Sequence, residues 1–216
     1  MPTIGQLEKL VGGLSTPSKM PGYAYGLPAQ ACLLGSILAQ RANTVCSECY
    51  ALKGCYVFPV VRNAQANRLR ILKRDLFSWK RAFITLLDLK YKRKTGQARV
   101  FRWHDSGDIQ STEHLSAIVQ IAEALPTIQF WLPTRERLMV QEWLAGHPEG
   151  WPANLTVRVS ATILGRPTGT LPEGTVGSTV GAGLGFACPA KRQGNECRAC
   201  RACWDKNVKL VDYHLH

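Results

Sequence analysis

The placement of cysteine constrains this chain more than any other feature. Cys32, Cys46, Cys49 and Cys55 fall in one stretch, and Cys188, Cys197, Cys200 and Cys203 fall in another. No segment reaches the ~18 consecutive apolar residues that a membrane span needs. The segment from Met1 to Val11 lacks the charged-then-apolar layout of a secretory leader. The expected compartment is a cytoplasm, with no membrane partner, and there thiols stay reduced. Clustered cysteine in a reducing compartment points to bound metal rather than to disulfides.

The C-terminal group is the tighter signal. Cys188 is followed by proline, and Cys197, Cys200 and Cys203 stand at two-residue gaps. Short gaps let one winding loop offer several thiolates to one cubane, as in the ligand runs of bacterial ferredoxins. Zinc sites more often use paired knuckles separated by a longer loop. A closed iron–sulfur cluster, structural or redox-active, is the expectation here. The N-terminal group is looser: thirteen residues separate Cys32 from Cys46, two separate Cys46 from Cys49, and Cys55 lies six beyond Cys49. Either all four thiols hold one closed metal, or three hold a cluster and leave one iron open to a substrate or cofactor. An open iron acts as a Lewis acid or an electron donor. Cys55, in the apolar setting Gly54-Cys55-Tyr56-Val57-Phe58, reads equally as a ligand and as a small buried hydrophobe.

Between the two groups the hydrophobic period changes. Residues 1–31 show little periodicity and read mostly as loop. Helical spacing runs over 60–73. A second helix, capped by Asp75, presents Leu76, Trp79, Phe83, Leu86 and Leu87 on one face. Residues 98–104, 128–132 and 155–161 read as strands. Helices are expected between them at about 112–125, capped by Ser111 or Thr112, and about 136–145. Strand–helix alternation implies a parallel sheet with right-handed crossovers. The predicted fold is therefore α/β, either a partial parallel (β/α) barrel or an open parallel sheet. It forms a single domain over residues 1–216. A cysteine-bearing segment (1–56) precedes a β/α core (57–164), and a Gly-rich loop with a C-terminal metal-binding loop (165–216) follows it. Residues 165–185 give no firm element.

Polar residues gather where the three predicted strands end. His104, Asp105, Ser106, Gly107 and Asp108 follow the first, Thr134 and Arg135 the second, and Ser160, Ala161 and Thr162 the third. Sites in parallel α/β folds lie at the carboxyl ends of strands. His104, Asp105, Asp108 and Arg135 are thus the candidate catalytic set, with proton transfer for the first three and binding of a small anionic substrate for Arg135. They are expected to line one pocket beside the N-terminal cysteines, walled by Tyr50, Trp103 and Trp131.

Charge adds a further constraint. The formal net charge is +12. Arg62, Arg68, Arg70, Lys73, Arg74, Lys80 and Arg81 lead into a basic run, Lys90–Tyr91–Lys92–Arg93–Lys94, before Gly96. Such runs are commonly a solvated helix face, and cations suit a helix C-terminus. Nucleic acid is the partner this basic face would take. No glycine-rich phosphate loop accompanies it; Gly181, Gly183 and Gly185 lack the strand–turn–helix context. His214 and His216 receive no role.

Four blocks carry a family resemblance: CLLGSILAQRANTVCSECYALKGCYVF, FRWHDSGDIQSTEHL, FWLPTRE, and CPAKRQGNECRACRACWDKNV with the closing YHLH. Together they resemble the phage gene-product-88-like family, named from a mycobacterial phage. The resemblance implies a phage-encoded protein in the host cytoplasm. It also implies seven ligands, Cys32, Cys46, Cys49, Cys188, Cys197, Cys200 and Cys203, with Cys55 outside the set. A more distant likeness is to radical S-adenosylmethionine enzymes. On that likeness Ser106 and Gly107, before Asp108, and Tyr50, after Cys49, would bind the cofactor. The chain departs from that pattern in the thirteen residues between Cys32 and Cys46, where those enzymes have a short gap. The expected function is an iron–sulfur enzyme with one or two [4Fe–4S] clusters, using S-adenosylmethionine or iron as Lewis acid for hydrolysis or hydration. A nucleic-acid-binding iron–sulfur or zinc module and a redox relay are the alternatives.

Overall fold

The computed structural model describes residues 2–93 and 98–215; Lys94 of the basic run, Gly96 after it, and His216 lie outside them. Seven strands, β1 (Tyr23–Tyr25), β2 (Val100–Trp103), β3 (Gln129–Thr134), β4 (Leu155–Ser160), β5 (Val176–Val180), β6 (Phe186–Ala187) and β7 (Leu210–Tyr213), form one sheet. Its order is β1-β2-β3-β4-β5-β7-β6 and every pairing is parallel. The sheet does not close, so of the two predicted architectures the open parallel sheet is the one formed.

Helices α1 (Ile4–Val11), α3 (Pro59–Arg74), α4 (Leu76–Arg93), α5 (Thr112–Ala124) and α6 (Arg137–Ala145) pack side by side. Strand alternation explains their common side. Phe101, Trp103, Phe130, Leu132, Leu155 and Val157 join the helices in one apolar core with Trp79, Phe83, Leu86 and Ile118. The residues between them, Val100, Arg102, Trp131, Thr156 and Arg158, take the opposite face. There Val100 and Trp131 pack with Cys203 and Trp204. The C-terminal cysteine loop is therefore the cover of the helix-free face.

Arg158 fastens that cover. It is fully buried. Its Nη1 donates to the Gly177 carbonyl at 2.6 Å, and its Nη2 faces the carbonyls of Ala202 (3.1 Å), Asp205 (3.3 Å) and Val208 (3.1 Å). The Thr156 hydroxyl donates to the Trp204 carbonyl at 2.7 Å, and the Trp204 indole donates to the Phe101 carbonyl at 2.9 Å.

The predicted helices and the three predicted strands all form, with ends within two residues of expectation. Asp75 accepts from the Ser78 amide and Ser111 from the His114 amide, as their capping roles require. Residues 1–31 are more ordered than their pattern suggested. Thr3 and Gln6 form a reciprocal capping box that starts α1, and Gly12 ends it with φ +81°. Within 165–185, β5 forms without alternation; Gly177 lies where an added Cβ would stand 2.8 Å from Leu210 Cδ1. Arg68 is also not part of a solvated face. It is buried, with Nε donating to the Gly12 carbonyl and Nη1 to Ser15 Oγ.

Arg158→Leu leaves four backbone carbonyls without their donor. We expect a loss on the order of 3 kcal/mol, seen as a fall in Tm of about 6–12 °C for a chain of this size. An unchanged melting curve would remove Arg158 as the anchor of the C-terminal loop.

Candidate metal centre

The first cysteine group lies on the long connection between β1 and β2, which crosses the carboxyl edge of the sheet. Cys32 precedes helix α2 (Leu33–Leu38), and Cys49 precedes a 3-10 turn at Tyr50–Leu52. Three ties hold this connection in place. The Leu34 amide donates to Glu136 Oε1 at 2.9 Å, after β3. Val45 donates to the Thr162 carbonyl, and Leu164 donates to the Asn43 carbonyl, beyond β4. The Tyr50 hydroxyl, 2.6 Å from the Asp105 carbonyl, also accepts from Arg102 Nη2 at 2.8 Å, at the end of β2.

These ties bring Cys32, Cys46 and Cys49 together. A Cβ added at Gly35 would stand 2.8 Å from Cys32 Cβ, 3.5 Å from Cys32 Sγ and 3.7 Å from Cys46 Sγ. The backbone at Gly35 thus forms a wall against two thiols that no larger residue would permit. Burial pushes the Cys32 thiol well above its ordinary value, with Asp108, Cys49 and Cys46 adding to the rise and Arg135 opposing it. Burial raises Cys46 too, with Arg135 opposing and Cys49 and Asp108 reinforcing. Cys55 is exposed and bears on neither.

The second group converges from β6, the loop after it and the 3-10 turn Ala202–Trp204. Burial raises the Cys197 thiol, with Cys188 and Cys200 adding to the effect and Arg102 opposing it. Cys203 is pushed up to about 12 by burial, and its sulfur lies 3.1 Å from the Tyr213 hydroxyl. Arg102 stands between the two groups, joined to Tyr50 on one side and lying 4.6 Å over the Trp131 ring. Trp131 meets Trp204, next to Cys203, at 5.2 Å between centroids.

All eight thiols are free. Among the described residues, no three His, Cys, Asp or Glu side chains form a group that could hold a metal ion. Neither cysteine group is thus preformed as a compact cage for one cation. Thiolates are the donors that iron–sulfur clusters take, and the absence of a side chain at Gly35 lets its backbone approach Cys32 and Cys46.

The four candidate catalytic residues do not share one environment. Asp108 and Arg135 lie beside the N-terminal thiols. Asp108 is saturated: Oδ1 accepts from the Ile109 amide (2.8 Å) and Thr134 Oγ1 (2.7 Å), and Oδ2 from the Arg135 amide (2.9 Å). Burial still raises its pKa. Asp105 is raised by burial, against the pull of Arg102 and Arg68, and its Oδ1 is buried with no hydrogen-bond partner. His104 lies elsewhere. Its backbone is left-handed at φ +51°, and its ring sits 5.4 Å from that of His114, on helix α5. Trp103 is likewise in the helix-side core, stacked on Phe83, and cannot wall a site at the cysteines. Gly107 has φ +81° and sits where a Cβ would meet Leu27 Cβ at 2.6 Å; Ser106 Oγ is buried without a partner. A cavity of about 610 Å³ opens beside Cys32, lined by Gln30, Leu33, Ile37, Lys73 and Gln110 among others; none of the four candidates lines it.

Sequence reasoning did not single out Gly35, Glu136, Arg102 or Arg158. The two arginines carried a readable signal, since each is a charged residue inside a strand flanked by apolar neighbours that point the other way.

The family model described as gene product 88 matches residues 4–180. The chain belongs to that family. The matched region takes in the N-terminal cysteines and β1 to β5 and ends before Cys188. No curated protein matches the chain, and no solved structure does.

Burial holds His114 at about pKa 3 and His104 well below the ordinary value of 6.5. A depressed imidazole binds a proton in the unfolded chain but not in the folded one. Stability from this source is complete above pH 6.5 and drains away as pH falls toward the folded pKa. His114→Phe keeps the ring packing and removes one such proton. The slope of unfolding free energy against pH between 6 and 4 should shrink by about 1.4 kcal/mol per pH unit relative to the native protein. Parallel slopes in urea titrations at stepped pH would show that His114 is not buried neutral.

Proposed function

We propose that this member of the gene product 88 family is an iron–sulfur enzyme. In this reading Cys32, Cys46 and Cys49 hold a [4Fe–4S] cluster with one iron lacking a protein ligand. Cys188, Cys197, Cys200 and Cys203 hold a second, closed cluster. The observation that supports the reading is the approach of Cys32 and Cys46 to the Gly35 backbone, with Cys49 and Arg135 nearby, at the carboxyl edge of a parallel sheet. Carboxyl edges are where such folds place their chemistry. Buried thiols with raised pKa values stay protonated without a cation, and metal displaces those protons when it binds.

A bound cluster of this kind supplies a Lewis-acidic or electron-donating iron. The surrounding roles fall to the chain itself. Arg135, whose Nε is buried without a partner, binds the anionic group of a small substrate. Asp105, with its unpartnered oxygen and raised pKa, holds or releases a proton. Asp108 is a positioning residue that fixes the Arg135 backbone. His104 packs against His114 and takes no part in proton transfer. S-adenosylmethionine is the ligand we assign to the free iron position, near the turn at Ser106–Gly107.

Protein purified without oxygen should contain iron and acid-labile sulfide. Cys46→Ser should lose about half of the iron, whereas Cys55→Ser should keep all of it. Adding S-adenosylmethionine should alter the electron paramagnetic resonance spectrum of the reduced native protein and leave that of Cys46→Ser unchanged. Stoichiometric zinc without sulfide would overturn the cluster reading. Equal iron loss in the Cys46 and Cys55 variants would replace the open site with a closed four-cysteine one.

A further inference from the structure

Helix α3 carries Arg62, Arg68, Arg70, Lys73 and Arg74 and no carboxylate. Arg68 turns inward. Among the described residues, none of the ion pairs involves α3. Asp75, just past its end, caps α4. Asp75 also faces Arg74, whereas Arg62 and Lys73 enter none of the ion pairs among the described residues.

The face also forms one wall of a groove. A cavity of about 440 Å³ lies between Pro28 and Gln30 on one side and Pro59, Arg62, Asn63 and Ala66 on the other. The 610 Å³ cavity continues past Gln30 to Cys32 and Lys73. Pro59 to Lys73 spans about 21 Å of helix at 1.5 Å per residue. The lining holds two cations, Arg62 and Lys73, with the amides of Gln30, Asn63 and Gln110 and the exposed apolar groups Leu33 and Ile37. Phe58, 57% exposed, flanks the far end at the start of α3.

We propose that this groove binds a single strand of nucleic acid and leads it to the edge where Cys32 lies. Cations along one track contact successive phosphates, and apolar and aromatic surfaces accept the faces of bases. The amides suit base edges. The groove suits a single strand better than a duplex. The major groove of a duplex admits a bare helix, but α3 carries residues 28–37 as a second wall. The inference rests on the shape and charge of the groove and not on bound metal.

The test is fluorescence anisotropy with 5′-fluorescein-labelled (dT)15, a labelled hairpin duplex and heparin as competitor, on anaerobically purified protein with its iron counted. We expect (dT)15 to bind more tightly than the hairpin. The slope of log K against log salt should be about −1.4, from about two phosphate contacts. Arg62→Glu with Lys73→Glu should weaken (dT)15 binding at least tenfold and flatten the slope to about 0. Lys206→Glu with Lys209→Glu, far along the chain, should leave both unchanged. Crosslinking of a 5-bromodeoxyuridine strand should map to residues 28–37 and 59–73. Absence of binding at 50 mM salt, or equal weakening by both pairs of variants with the hairpin bound as tightly as the strand, would overturn the proposal. A protein free of iron that still binds the strand would refute the cluster reading alone; an iron-loaded protein that does not bind it would refute the groove alone.

Discussion

A parallel sheet must be covered on both faces, because its strands are buried on both. Right-handed crossovers between neighbouring strands in sequential order place every helix on one side. In this protein α1, α3, α4, α5 and α6 cover one face with a continuous core. The other face needs a cover built from something else, and the C-terminal cysteine loop provides it. Trp204 fills the space over Trp131, and Arg158 collects the loop's carbonyls. A guanidinium is suited to this because it is always charged and offers five donors in a fixed fork. The remaining exposed boundary, the carboxyl edge, is crossed by the N-terminal cysteine connection.

This arrangement ties the two cysteine groups into one construction. Tyr50 is bonded to Cys49, accepts from Arg102, and Arg102 lies over Trp131, which meets Trp204 beside Cys203. Arg102 favours the ionised form of Cys197, and Arg135 that of Cys32 and Cys46. Displacement of the C-terminal loop would uncover a face of the sheet.

Much of this was legible in the sequence where periodicity is long. The 3.6-residue spacing over 60–73 and from Leu76, and the apolar alternation in 98–104, led directly to α3, α4 and β2. The edge strands were not legible. Tyr23–Tyr25 has three residues and Phe186–Ala187 two, too few to show a period. Val176–Val180 is buried but reads VGSTV, because Gly177 yields to Leu210 and Ser178 and Thr179 are satisfied by hydrogen bonds to Ser160 and Asp212. At the site, the meeting of Asp108 with the Arg135 backbone followed from their places at strand ends. The inward turn of His104 did not, because it depends on a left-handed residue at the strand end that no local pattern announces.

The central claim is that each cysteine group holds its own iron–sulfur cluster, one at the carboxyl edge and one on the helix-free face. Anomalous diffraction from anaerobically grown crystals, recorded on both sides of the iron and zinc edges, tests it directly. Two iron peaks are expected, one among Cys32, Cys46 and Cys49 and the other among Cys188, Cys197, Cys200 and Cys203. Peaks that appear only at the zinc edge, or the absence of iron from either group in protein that retains its full iron content, would contradict it.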